Sequence, residues 1–184
     1  RQRPGMEKRS GFHYTFPWEP NHTDERKKGN GMNGQDTNGP ERQWHQKLAQ
    51  ETFNAAWELL DKADRTDYET LRMIHTAHAS LFHWSYVGEA VNMARGEWQV
   101  SRVYCAASMP ESALYHARRS LEICLNAAIG GFDLAFGYEA VARAQKLSGN
   151  AEEAGNMIAK AKESAALIEK EEDRTYFLNE LMSI

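Results

Sequence analysis

Proline nearly vanishes after position 40 of this 184-residue chain: Pro4, Pro17, Pro20 and Pro40 come early, and only Pro110 follows. The long remainder therefore lacks the residue that most reliably interrupts a helix. Cysteine is almost as scarce. Cys105 and Cys124 stand in helix-like surroundings without a CxxC or Cys/His spacing, which argues against a disulfide framework and leaves two buried, reduced thiols as the expectation. No apolar run approaches the roughly 18 residues that a membrane span requires, and mean hydropathy is -0.70, so no membrane partner is expected. Positive charge is not in excess either: 22 Lys and Arg against 26 Asp and Glu give a net charge of -4. That balance argues against nucleic acid as a partner. A basic start followed by an apolar stretch, the mark of an export signal, is missing. Asn21-His22-Thr23 matches a glycosylation tripeptide but has little weight without such a signal, and the expected location is the cytoplasm.

Alanine divides the chain in two. Every alanine lies at or after Ala49, whereas residues 1–41 hold four of the five prolines and six of the 13 glycines. This leader starts at Arg1, contains Met32 as a candidate native initiator, and cannot build an apolar face; it reads as flexible. Within it, Phe12-His13-Tyr14-Thr15-Phe16-Pro17-Trp18 gathers aromatics densely enough to suggest an arm that docks on its own domain or on a neighbouring subunit.

The body, residues 42–184, repeats apolar residues every three or four positions, the period of an amphipathic helix. Trp44, Leu48, Ala55, Leu59 and Ala63 make one stripe, and Leu71, Ile74, Ala77, Leu81 and Ser85 the next. Further stripes run through Ala94 and Trp98, Ala113 and Ala117, Tyr138 and Val141, and Ala154 and Ala161, before a short last one with Phe177 and Leu181. Six helices and a short seventh, with no strand-period segment, predict an all-α fold. The helix starts are evenly spaced. Thr66-x-x-Glu69, Ser108-x-x-Glu111 and Asn150-x-x-Glu153 each set a capping side chain three residues before a glutamate, at intervals of 42 residues. Gly88 and Gly130 repeat at the same offset, where a left-handed glycine is expected to end a helix. A helix pair recurring about two and a half times on a fixed period predicts a solenoid, in which each hairpin buries its face against its neighbours.

The run Val103-Tyr104-Cys105-Ala106-Ala107-Ser108 with Ala113, and the run over 142–149 with Glu152-Glu153-Ala154 and Ala161, resemble tetratricopeptide (TPR) repeats. The likeness is good over 132–168, fair over 90–124 and weak over 44–86; the period is longer than the usual value of about 34, and Ser108 replaces the turn glycine. The resemblance implies a right-handed superhelical stack of antiparallel helix hairpins whose first helices line a concave groove for peptides or partner proteins. The family's inward positions then fall on Arg95, Trp98 and Arg102 in the helix over 89–107, and on Phe136, Glu139, Arg143 and Lys146 in the helix over 132–148. Cations and aromatics facing one hollow suit an acidic or carboxylate-terminated peptide, because Arg offers a planar fork of donors and Trp a stacking platform. The alternative is a solvated lattice in which the arginines pair with Glu89, Glu97, Glu122 and Asp133. If the groove is used, Arg102→Glu or Arg143→Glu should abolish capture of an acidic peptide and leave the melting temperature nearly unchanged.

His75 and His78, three apart on one helix, could share a metal with His116 or Glu122. No HExxH or Glu-x-x-His pattern accompanies them, so they read as interhelical hydrogen-bonding residues near the groove wall, with His45 exposed. No serine stands in a Gly-x-Ser-x-Gly elbow. Trp84, Asn92, Arg95, Glu97 and Trp98 cluster at the break marked by Gly88 and, if buried, need partners from one another or from a ligand; Asn92 and His78 join the candidate binding set. The leading expectation is a non-enzymatic, TPR-like protein without a cofactor that binds a protein or an acidic peptide. The alternatives are a homodimerising structural or regulatory protein, and a metal-dependent hydrolase or small-molecule sensor built on His75, His78 and His116.

Overall fold

Seven helices make up most of residues 39–184, the part of the chain that the computed structural model describes: α1 (Pro40–Leu60), α2 (Asp67–Val87), α3 (Ala90–Ala106), α4 (Pro110–Asn126), α5 (Gly131–Leu147), α6 (Ala151–Ala165) and α7 (Glu171–Met182). No strand occurs among the described residues, in line with the all-α expectation. None of these helices is long and apolar enough to cross a membrane. The aromatic run over 12–18, Met32 and nearly all of the leader lie outside the described residues.

Consecutive helices run antiparallel. Arg42 at the start of α1 donates to the Val87 carbonyl at the end of α2, Ser80 Oγ donates to the Ala49 carbonyl at 2.8 Å midway, and Lys62 meets Glu69 at the turn. In the second pair, Ser101 Oγ reaches the Ala113 carbonyl at 2.9 Å and Ser120 Oγ the Ala94 carbonyl at 2.8 Å. Lys160 of α6 lies over the Tyr138 ring of α5, 6.0 Å from its centre. A small hydroxyl that bonds the neighbouring backbone lets two helices approach closely while leaving no buried donor unpaired.

The caps explain where the hairpins turn. Thr66 and Glu69 form the reciprocal box: Thr66 Oγ1 accepts from the Glu69 N–H at 3.2 Å, and the Glu69 carboxylate accepts from the Thr66 N–H at 2.9 Å. Asn150 accepts from the Glu153 N–H at 3.4 Å. Ser108 forms no such cap. Pro110 opens α4 with Met109 before it, which leaves Ser108 in the left-handed conformation at φ 58°. Gly149 adopts the same conformation at φ 79° in the next hairpin, so Ser108 does occupy the position of a turn glycine. Gly88 and Gly130, expected to be left-handed, are instead extended, at φ -83° and -107°. Gly88 is small because of crowding: a Cβ there would lie 2.7 Å from the Trp84 carbonyl oxygen.

The first helices of successive pairs lie side by side. Gln99 Nε2 donates to the Phe53 carbonyl at 2.9 Å and Trp98 leans on Trp57, joining α3 to α1, while Arg95 bonds Asp133 and Trp98 bonds Glu139, joining α3 to α5. Between pairs, Leu81 of α2 seats on Gly96 of α3 and Leu121 of α4 seats on Gly137 of α5. A Cβ on Gly137 would lie 3.2 Å from Leu121 Cα, a backbone atom that cannot swing away. Gly137→Val is therefore expected to lower stability by about 1–3 kcal/mol through overpacking, read as a fall in the urea midpoint. An unchanged midpoint would show that α4 and α5 do not meet at this glycine.

Ala56, Met73, Ile74, Ala77, Val100 and Val103 form a core where α1, α2 and α3 meet. The buried face of α1 is His45, Ala49, Phe53 and Ala56 rather than the expected Trp44, Leu48, Ala55 and Leu59; Trp44 is 54% exposed. His45, expected to be exposed, is buried because its Nδ1 pairs with His83 Nδ1 at 2.8 Å and its ring stacks on Tyr86. In α2, Ile74 and Ala77 are buried as expected, whereas Leu71 and Ser85 face outward.

Candidate functional site

The candidate residues on α3 and α5 recur every three or four positions, so each set projects from one side of its helix. Arg95 holds Asp133 with two parallel hydrogen bonds, 2.6 Å from Nε and 3.0 Å from Nη2. Deeper along the pair, the fully buried Glu139 accepts from Trp98 Nε1 at 3.1 Å, from Arg102 Nη1 at 3.1 Å and from Arg143 Nε at 2.6 Å. A buried carboxylate with three donors is well compensated for its lost hydration. Phe136 lies beneath this network, edge-on to Trp98 at 5.1 Å and to Phe177 of α7 at 4.9 Å.

Helix α7 completes the site. Glu180 accepts from Arg102 Nη2 at 2.5 Å, the Glu180 carbonyl accepts from Arg143 Nη2 at 3.1 Å, and Ser183 Oγ accepts from the same nitrogen at 2.9 Å. Lys146 donates to the Ile184 carbonyl. Two guanidinium groups thus meet two carboxylates, Glu139 from α5 and Glu180 from α7. Burial works against the Arg102 cation, but Glu139 and Glu180 outweigh it and hold the group above the ordinary arginine value. Burial, then Glu180, pushes the neighbouring Tyr176 hydroxyl up to about 12, with a smaller push from Asp61 beside the end of α1. Helix α7 packs against α5 and α6, and the long Arg102 side chain reaches it from α3.

The structure therefore brings together Arg102, Phe136, Glu139, Arg143 and Trp98, with Arg95 one turn away on α3 and Lys146 exposed at the rim. Of the lattice partners considered, Asp133 does bind Arg95; Glu97 and Glu122 bind His116 and Arg119 instead. Asn92 lies elsewhere in function: its side-chain oxygen accepts from the Glu89 N–H at 2.7 Å and caps α3. Glu180, Tyr176 and Ser183 were missed. The available signal was Phe177-x-x-Glu180-Leu181, a glutamate set between two apolar residues on the face of a helix that must be buried.

His78 belongs to a separate cluster between α2, α3 and α4. Its Nε2 meets the Tyr104 hydroxyl at 3.0 Å, its ring lies 5.3 Å from that of His116, and His116 Nδ1 bonds Glu97 at 2.6 Å. His75 lines a shallow depression on the outer face of α2 with Tyr68, Leu71, Arg72, Thr76 and Ala79. Among the described residues, no group of three or more His, Cys, Asp and Glu side chains is placed to hold a metal ion. The thiols are poor nucleophiles, since burial pushes Cys105 up to about 11 and Cys124 up to about 12. The chain matches no protein-family model, no curated protein and no solved structure.

Burial, reinforced by His116, holds His78 below the ordinary imidazole value of 6.5; burial and His45 do the same to His83. A folded value below the unfolded one means that the stabilising contribution is complete above about pH 6.5 and declines as pH falls through that value toward the folded one. The urea midpoint is expected to drop between about pH 7.5 and about pH 5.5, and less steeply in His78→Gln. Equal slopes in the two proteins would remove His78 as a source of the dependence.

Proposed function

We propose that the chain is a non-enzymatic, cytoplasmic helical-repeat protein, a right-handed stack of TPR type, that recognises an acidic peptide or protein segment on the face formed by α3 and α5. The observation that carries this reading is the convergence of Arg102 and Arg143, from two different helices, on the Glu180 carboxylate and on the backbone beside it. Two planar forks aimed at one carboxylate-bearing helix, over the aromatic floor of Phe136 and Trp98, are the elements that acidic-helix recognition uses.

The test is an array of acidic and basic peptides probed with the full chain. Capture confined to acidic peptides, weakened by added salt and by Lys146→Glu at the exposed rim, supports the reading. Equal capture of both classes, or capture indifferent to Lys146→Glu and to salt, would sink it.

Self-association is the second reading. It is favoured by the end of the first hairpin where Trp44, Phe82 and Tyr86, all more than half exposed, gather around His83, a denser aromatic surface than isolated apolar residues provide. Sedimentation of a single monomeric species at high concentration would exclude it.

A further inference from the structure

We propose that α7 is an internal occupant of the α3–α5 face, and that the same face receives in trans an amphipathic helix with the spacing aromatic-x-x-Glu-Leu. This rests on the reading of that face as a recognition surface and specifies what it recognises.

The contacts of α7 are those of a docked peptide. Of its twelve residues only Phe177, Glu180 and Leu181 are buried, one short stripe at helical spacing. By contrast, α5 buries nine of its seventeen. Phe177 meets Phe136, Glu180 meets Arg102, and the backbone at Glu180 meets Arg143. These three contacts join α7 to residues of the α3–α5 face, and α7 also packs against α6. The charge pattern agrees. With Glu180 in place, Arg102 and Arg143 are balanced by two carboxylates; without it, Glu139 alone faces both guanidiniums, and the surface regains a positive charge that calls for a carboxylate from elsewhere. An isolated helix of this length is marginal in water, so α7 is helical because it is docked, as a partner segment would be. Because α7 is covalently attached, its high effective concentration suppresses competitors, and a partner sees only the fraction of molecules in which the face is open.

The probe is a labelled synthetic peptide with the sequence of residues 170–184, titrated into the full-length chain and into full-length Glu180→Lys and Phe177→Ala. Both variants loosen α7, one by repulsion from the arginines and one by removing its apolar anchor. Each is expected to bind the peptide roughly tenfold or more tightly than the parent chain. A peptide carrying Lys in place of the glutamate equivalent to Glu180 is expected to lose that binding. The proposal is overturned if both variants keep their helical circular dichroism and bind no more tightly than the parent. It is equally overturned if both variants lose the helical fold, which would make α7 an obligatory part of the core. Should the acidic peptides of the array bind the loosened variants while the 170–184 peptide does not, the recognition surface stands and α7 is not its template. If neither binds, both fail.

Discussion

Glu139→Ala is expected to lower the stability of the fold by about 3–5 kcal/mol, the usual cost of removing one partner from a buried charge cluster. Glu139 has no exposed surface and is the common acceptor for Trp98, Arg102 and Arg143. Its loss removes the acceptor that Trp98, Arg102 and Arg143 share and leaves Glu180 as the carboxylate bonded to Arg102. For a chain of this size the change corresponds to a fall in melting temperature of roughly 10–20 °C. Glu139→Gln preserves shape and an acceptor oxygen and should lose less. Thermal and urea melts of the two variants decide the matter: a melting temperature for Glu139→Ala within a few degrees of the parent would mean that water, not Glu139, satisfies these donors.

Arg102→Glu carries a comparable or larger expected loss. It would set a third carboxylate beside Glu139 and Glu180, replacing two attractions with two repulsions where the native side chain is 17% exposed. The sequence alone predicts the opposite, a lost binding function with a nearly unchanged melting temperature, since it places Arg102 on an open groove. Burial and the two carboxylates overturn it. Arg102→Glu should unfold the protein at a temperature at least 10 °C or so below the parent; an unchanged melt would return Arg102 to the solvent. Recognition is therefore better tested at Lys146, on the exposed rim, and at Glu180.

The number of helices, their pairing and the faces of α3, α4 and α6 were legible in the sequence because apolar periodicity and helix stops are local signals, whereas on α5 the expected Leu134 and Tyr138 are only half-buried. Ala94, Trp98, Ala113, Ala117, Ala154 and Ala161 are all buried where the stripes placed them. Helix α1 misled for a physical reason: His45 scores as polar, yet its pairing with His83 lets it enter the interface and turns Trp44 outward. Ser108 matched a capping pattern, but Pro110 starts the helix later than that pattern requires. The candidate residues Trp98, Arg102, Glu139 and Arg143 on α3 and α5 lie together in the structure. Their burial was not foreseeable, since nothing local to α7 tells which distant arginines Glu180 will meet.

The seating of Leu81 on Gly96 and of Leu121 on Gly137 means that each junction is made by the same pair of shapes, one hairpin presenting a leucine and the next a notch. Such a joint does not depend on its place in the series. A copy of the middle hairpin spliced in after itself would present the same leucine and the same notch, while the bonds that Arg95 and Trp98 make to Asp133 and Glu139 would have to be supplied anew.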